Sequence, residues 1–220
     1  MQTIASALLG LLFFGLALFL PAWTFDYWQG WVFIAVFTVA TMIPSLYLAI
    51  ERPATLQRRL KAGPTAETRP VQRVVMTAML LSVVALLAVS ALDHRLSWSS
   101  VPLSVVILGD VLVGTGLLVT QLVIVQNGHA AATITVEAGQ ELVSTGLYGI
   151  VRHPMYFGAL VMMVGTPLAL DSYWGLVVLI PALFSLAART VDEEKMLTAE
   201  LAGYGEYTRR VRSRLVPGVW

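Results

Sequence analysis

The chain has 220 residues, of which 57% are hydrophobic and 12% charged, and its formal net charge is +1. Soluble domains contain roughly 25% charged residues, so the composition indicates an integral membrane protein and excludes an ordinary soluble enzyme. The absence of cysteine excludes disulfides, thiolate metal ligands and cysteine nucleophiles. The histidines are scattered along the chain, and we expect no metal site: His94, His129 and His153.

Four apolar stretches in the first part of the chain predict membrane-spanning helices. They cover residues 4–22, 31–50, 71–92 and 101–125. Each is close to the roughly 20 residues that cross a hydrocarbon core of about 30 Å. No basic segment precedes the first stretch and no small-residue cleavage pattern follows it, so we predict a retained helix rather than a signal peptide.

A fifth apolar region, residues 156–189, is interrupted by Asp171-Ser172-Tyr173. Its two halves have about 15 residues each, which is short for a full crossing and predicts a helical hairpin or a partly re-entrant pair. The sequence therefore predicts an all-α polytopic membrane protein with five or six hydrophobic helices. The last two form a short hairpin over residues 154–189.

The basic residues give the predicted helices an orientation. Thirteen of the fourteen lie in segments that this topology puts on one face: the loop at residues 51–73, the loop before the hairpin and the tail after it. Only Arg95 lies on the other face. The positive-inside rule predicts that the basic face, with both termini, is cytoplasmic. Tryptophans fit an aromatic belt at the opposite interface: Trp23, Trp28, Trp31, Trp98 and Trp174.

Polar segments divide the chain into two regions. Residues 1–125 hold the four spans and the basic loop, whereas residues 126–220 hold a polar loop, the hairpin and a tail. The polar loop and the tail flank the hairpin on the same predicted face. We therefore expect any active site to be built from these two segments and to be cytoplasmic.

The most informative segment is residues 146–158, GLYGIVRHPMYFG. Pro154 has a fixed φ and no N–H, so it suits the first turn of a helix, and it disfavours the α conformation at His153. Arg152 and His153 are therefore predicted beside a helix N-terminus, whose unpaired N–H groups and dipole attract small anions. The alternative for these two residues is an interfacial anchor without a ligand.

Further motifs lie on both sides of this segment. Residues 140–148, QELVSTGLY, run into it, and after the hairpin come an acidic pair, a tyrosine pair and a proline: Glu193-Glu194, Tyr204-x-x-Tyr207 and Pro217. With the RHPMY sequence and Gly158, these motifs resemble those of the isoprenylcysteine carboxyl methyltransferase family. That family shares a wider superfamily with the phospholipid N-methyltransferases. The resemblance covers about residues 127–217.

The resemblance implies a membrane methyltransferase that uses S-adenosylmethionine without a Rossmann domain, with residues 126–220 as its catalytic region. The sequence agrees in lacking a GxGxxG motif after a strand, since Gly114-Thr115-Gly116 lies in a predicted membrane helix and fits helix packing. Many relatives have histidine at the position of Gln140, and glutamine can hydrogen-bond adenine or ribose but cannot take up a proton. The family's cofactor contacts correspond here to Gln140, Glu141, Leu142, Val143, Tyr148, His153, Pro154, Met155, Tyr156 and Glu193.

The chemistry of these residues fits the charges of S-adenosylmethionine. Its carboxylate suits the helix N-terminus at residues 153–155 with Arg152 nearby, and its ammonium group suits Glu193. Tyr148 and Tyr156 can face the sulfonium through cation–π contacts worth about 0.5–2 kcal/mol. Arg152 therefore joins the predicted cofactor-binding residues.

For the methyl acceptor, Arg189 corresponds to a family position that engages the substrate carboxylate. We therefore predict O-methylation of a carboxylate on a lipid-like or prenylated substrate such as isoprenylcysteine, which needs no general base. A protonated amine would need a base, and Glu194 or His153 would then serve. We expect membrane lipids as further partners and no nucleic acid.

Three other functions stay open from the sequence. A phospholipid or amine N-methyltransferase would share these motifs. An NADPH-dependent sterol-type reductase would need additional basic residues for the 2′-phosphate. A non-catalytic membrane protein would retain a vestigial pocket, although the intact RHPMY sequence and Glu193 argue against decay. The loop at residues 51–70 fits either a lid or an interfacial segment.

Overall fold

The computed structural model describes residues 2–60, 65, 67, 69–128 and 140–220, and all regular structure in these residues is helical. The all-α prediction is therefore confirmed for the described residues. The elements in chain order are α1 Gln2–Ala22, α2 Trp28–Glu51, α3 Pro53–Leu60, α4 Pro70–Leu96, α5 Leu103–Gln126, a 3-10 turn Gly146–Gly149, α6 Pro154–Ala169, α7 Trp174–Glu200 and α8 Tyr204–Arg210.

Four of the described helices, α2, α4, α5 and α7, are long and apolar enough to cross a membrane. The described apolar part of α1, Leu8–Ala22, and all of α6 are shorter. Together these six helices agree with the predicted polytopic architecture. The tryptophans of the predicted aromatic belt are exposed, at helix ends that meet at one end of the bundle: Trp23, Trp28, Trp31, Trp98 and Trp174.

The second half of the predicted hairpin is longer than expected. α6 has 16 residues, but α7 runs for 27 residues. Residues 190–200, which the sequence analysis assigns to the tail, continue the helix because they contain good helix formers and neither glycine nor proline. The charged residues that follow Arg189 therefore share one rigid helix with the apolar span.

α5 and α6 pack against each other more extensively than any other described helix pair, because each carries two glycines seven residues apart. A Cβ at Gly116 would lie 2.4 Å from the carbonyl oxygen of Gly158. One at Gly165 would lie 2.7 Å from the carbonyl oxygen of Gly109. Small residues allow membrane helices to approach this closely, and the packing role predicted for this part of α5 is found at Gly116.

At the end of the bundle that carries the tryptophans, two carboxylates connect the turn between α6 and α7 to neighbouring loops. Asp93 is 0% exposed and accepts hydrogen bonds from the hydroxyls of Ser99 and Ser172, each at 2.6 Å. Asp171, in the turn itself, accepts one from the main-chain N–H of Val101 at 2.7 Å. These bonds hold the ends of α4, α5 and α7 together.

Asp93→Ala is expected to lower the thermal unfolding temperature of the detergent-solubilised protein. Removal of this carboxylate leaves the buried hydroxyl of Ser172 without its acceptor, at about 1–3 kcal/mol for an unsatisfied group, and the half-buried hydroxyl of Ser99 loses the same partner. Differential scanning fluorimetry measures the effect. Asp26→Ala, which removes an exposed carboxylate in the loop after α1, is the matched control and should leave the temperature unchanged. Equal temperatures for both variants would contradict this role of Asp93.

Candidate functional site

A cavity of about 320 Å³ lies at the other end of the bundle, where α4 and α6 begin and α5 ends. Its volume is at the lower end of the range usual for small-molecule sites. Of the thirteen residues that the sequence predicts for the site, only Glu194 is not in the cavity wall. The predicted residues that line the cavity are Gln140, Glu141, Leu142, Val143, Tyr148, Arg152, His153, Pro154, Met155, Tyr156, Arg189 and Glu193.

Glu194 lies behind the wall, where it joins three other side chains. Its Oε1 is 2.6 Å from Nε of Arg152 and 3.3 Å from Nε2 of His153. Its Oε2 accepts a hydrogen bond from Nε of Arg214 at 2.8 Å. Both carboxylate oxygens are therefore already bonded. This geometry fits a residue that positions Arg152 and His153 better than a base that receives a proton from a substrate.

The C-terminal tail is bonded to the start of α6. The main-chain N–H groups of Arg152 and His153 donate to the carbonyl oxygens of Ser213 and Arg214, at 3.0 and 2.9 Å. The Arg152 guanidinium also donates through Nη1 to the carbonyl oxygen of Val211 at 2.9 Å. The helix N-terminus that the sequence predicts as an anion site is therefore partly used to hold the tail, and Arg152 has fewer donors left for a ligand.

Glu193 presents a carboxylate among aromatic side chains. The Tyr156 hydroxyl donates to its Oε2, which also lies 4.0 Å from Nδ1 of His153. The rings of His153 and Tyr156 are stacked, with centroids 5.5 Å apart and 6° between their planes. A carboxylate beside aromatic faces in a largely apolar cavity suits a cationic ligand.

Tyr148 is held in the wall by the end of α5 and by α8. Its hydroxyl accepts a hydrogen bond from Nδ2 of Asn127 at 3.1 Å, and its carbonyl oxygen accepts one from the Tyr207 hydroxyl at 2.7 Å. Burial raises the pKa of Tyr148 to about 12, and the hydrogen bond from Asn127 only partly opposes this rise. The phenol is therefore neutral near pH 7, so it offers its ring face and hydroxyl to a ligand rather than a negative charge.

Arg189 is buried in the part of the wall that α7 contributes, with 4% of its surface exposed. Its Nε donates to the Tyr156 hydroxyl at 2.9 Å. Its Nη1 donates to Oε1 of Glu67 and to Oε1 of Gln72, each at 2.9 Å. Because Tyr156 also bonds Glu193, a single hydroxyl group connects Arg189 to the carboxylate in the cavity.

Glu67 and Gln72 are contacts of Arg189 that the sequence does not predict. The sequence does contain an indication of the role of Glu67, because a buried cation at the end of an apolar helix needs an acidic partner. Glu67 is one of only two acids in the basic loop at residues 51–73. No comparable signal marks Gln72, which donates to Asp192, itself paired with Arg69 at 2.9 Å.

The histidines are far apart wherever the structure describes them. His153 lines the cavity, whereas His94 stacks on Tyr27 at the opposite end, with ring centroids 4.0 Å apart. His129 lies outside the described residues. Within the described ranges, no group of three or more His, Asp or Glu side chains is arranged to hold a metal ion.

The fold and the site together define a class of protein: a bundle of apolar helices with a small-molecule cavity, lined by charged and aromatic side chains, at one end. Residues 104–205 match a family model described as phospholipid methyltransferase, PEMT. This family includes the isoprenylcysteine carboxyl methyltransferases, so the predicted resemblance is confirmed, and the matched region is similar to that of membrane methyltransferases. Among curated proteins no match is found.

Proposed function

We propose that the chain transfers a methyl group from S-adenosylmethionine to the carboxylate of a lipid-like acid, such as an isoprenylcysteine, at the cytoplasmic surface of the membrane. One observation carries the proposal. A single cavity contains a carboxylate, Glu193, and a buried guanidinium, Arg189, connected by the Tyr156 hydroxyl. The carboxylate suits the positive charges of the methyl donor, and the guanidinium suits a negatively charged acceptor.

The donor half of the site fits this chemistry. S-adenosylmethionine, when bound, supplies a methyl group made electrophilic by its sulfonium. Glu193 would hold the ammonium group, with His153 beside it. The ring faces of Tyr148 and Tyr156 would stabilise the positive charge by about 0.5–2 kcal/mol. Residues 140–143, which line the same cavity, would contact the adenine and ribose.

The acceptor half would centre on Arg189. An ionised carboxylate has no proton to lose and is already nucleophilic, so the protein has only to align it and exclude water. Arg189 would supply the alignment. Met76 and Met79 of α4 add apolar surface to the cavity, and we assign them to the aliphatic or prenyl chain of the acceptor.

A second candidate is N-methylation of a lipid amine. The observation that favours it is the ion pair between Arg189 and Glu67, in which the guanidinium already has a carboxylate partner. A protonated amine needs a general base. Glu194 is bonded at both oxygens, so His153 is the better base for this reaction.

Calorimetric titration of the detergent-purified protein with S-adenosylhomocysteine tests the donor assignment. We expect the wild-type protein to bind and the His153→Ala and Glu193→Ala variants to lose binding, because both side chains would face the donor's charged end. Glu200→Ala, which removes an exposed acid from the same helix as Glu193, should bind like wild type. If folded wild-type protein does not bind, the donor assignment is wrong.

The two acceptor classes are distinguished by the methylated product that each one gives. Protein supplied with S-adenosylmethionine labelled in its methyl group is mixed with N-acetyl-S-farnesylcysteine or with phosphatidylethanolamine vesicles. An alkali-labile methyl ester of the first would support the carboxylate proposal. Methylated amine as the sole product would favour the second candidate.

A further inference from the structure

The ion pair between Arg189 and Glu67 is almost completely enclosed. Arg189 is 4% and Glu67 is 2% exposed, and Nη1 of the arginine lies 2.9 Å from Oε1 of the glutamate. Gln72, which is 0% exposed, accepts a hydrogen bond from the same nitrogen. The guanidinium that the proposed function assigns to the acceptor therefore already holds a carboxylate of the protein.

An acidic ligand cannot simply be added to this pair. Two carboxylates that share one guanidinium in an enclosed site repel each other. Removing one partner from a buried ion pair is costly unless another charge takes its place. An acid must therefore exchange with Glu67, and Glu67 must then reach a second cation.

Arg69 offers that second cation. Its Nη2 pairs with Asp192 at 2.9 Å, whereas its Nη1 is buried and has no hydrogen-bond partner among the described residues. Arg69 is two residues from Glu67 in sequence, and Asp192 is bonded to Gln72, which contacts Arg189. The unpartnered nitrogen thus belongs to the same polar network as the ion pair.

We infer that Glu67 determines acceptor specificity: the carboxylate of an acidic acceptor replaces that of Glu67 on Arg189, and Glu67 moves to Nη1 of Arg69. This inference rests on the proposed function and extends it to the class of acceptor. An acceptor with an anionic headgroup supplies the carboxylate that replaces Glu67 on Arg189. An ester, an alcohol or an amine on the same chain gives Arg189 no replacement partner, so Glu67 stays in place and the headgroup is not held.

Binding of one acid and of its methyl ester tests the exchange. The purified protein is saturated with S-adenosylhomocysteine, which cannot methylate, and titrated with N-acetyl-S-farnesylcysteine or its methyl ester. We expect Glu67→Gln to bind the acid about tenfold more tightly than wild type, because no carboxylate competes for Arg189. Its affinity for the ester should be unchanged. Arg69→Gln should bind the acid more weakly, because displaced Glu67 has lost its alternative partner.

Two further variants complete the test. Glu67→Asp keeps the charge with a shorter side chain, and it should give a smaller gain that can be measured even if Glu67→Gln does not fold. Glu200→Gln is the matched control and should bind both probes like wild type. Three outcomes would overturn the inference. Glu67→Gln could gain affinity equally for the acid and the ester, it could bind the acid more weakly than wild type, or none of these proteins could bind the acid. Failure of the wild-type protein to bind S-adenosylhomocysteine would overturn the proposed function instead. The acid titration, repeated in the absence of S-adenosylhomocysteine, would then still test the exchange.

Discussion

Glu194→Gln is expected to loosen the cavity wall and to weaken donor binding strongly. The carboxylate joins Arg152, His153 and Arg214, and these contacts are enclosed except at Arg214, whose side chain is 36% exposed. Loss of one charge from a buried ion pair lowers the free energy of unfolding by about 3–5 kcal/mol. Because Arg214 is partly exposed, we expect a value at the lower end of this range. We expect a clearly lower unfolding temperature and an affinity for S-adenosylhomocysteine reduced about tenfold or more.

Scanning fluorimetry and calorimetry on one preparation measure both effects of Glu194→Gln. Glu200→Gln makes the same chemical change at an exposed position of the same helix and should leave both quantities unchanged. The opposite result would assign Glu194 a different role. A Glu194→Gln protein with normal stability and normal donor affinity that fails to methylate would identify Glu194 as a general base rather than a positioning residue.

Gly116→Ala is expected to separate α5 from α6. The added Cβ would lie 2.4 Å from the carbonyl oxygen of Gly158 and 2.5 Å from the main-chain nitrogen of Met162, and neither backbone group can turn aside as a flexible side chain would. Overpacking of this kind costs about 1–3 kcal/mol, occasionally more. The separation would also move Thr120 and Ala159, which line the cavity from the two helices, so donor binding should fall together with stability.

Gly114→Ala is the matched control for this variant. It adds the same methyl group two residues away on α5, where the nearest side-chain or neighbouring-helix atom is Cγ1 of Val36 at 3.8 Å, an ordinary van der Waals distance. Because alanine favours a helix over glycine by about 1 kcal/mol, this variant should be as stable as wild type or slightly more stable. Scanning fluorimetry of the pair decides the point. A Gly116→Ala protein as stable as Gly114→Ala would show that the helices can repack.

The parts of the site that follow from the sequence are those governed by local rules. Arg152, His153 and Tyr156 flank Pro154, whose ring sets the start of α6, so their placement depends on one short segment. Glu193 comes four residues after Arg189, but this spacing puts both side chains on one helix face only because α7 continues beyond Arg189, which the sequence does not predict. The apolar helices follow just as directly, since a run of about 20 apolar residues has to be buried.

The parts that the sequence does not predict depend on contacts between distant segments. Glu67 is 122 residues from Arg189, and no spacing rule connects them. The tail binds Arg152 through main-chain carbonyl oxygens, which almost any sequence supplies. The charged stretch after Arg189 contains good helix formers and no glycine or proline before Gly203, so the end of the apolar run does not mark the end of α7.

The residues that form the cavity wall and its support extend beyond the part of the sequence that matches the family model. Met76 and Met79 precede residues 104–205, Tyr207 follows them, and Glu194 is held by Arg214. An exchange of residues 104–205 alone with a protein that matches the same family model would therefore transfer Arg189 and Glu193 without the Glu67 and Gln72 side chains that contact Arg189. Chimeric proteins that are meant to keep this cavity wall intact need the start of α4 and the C-terminal tail from the same parent.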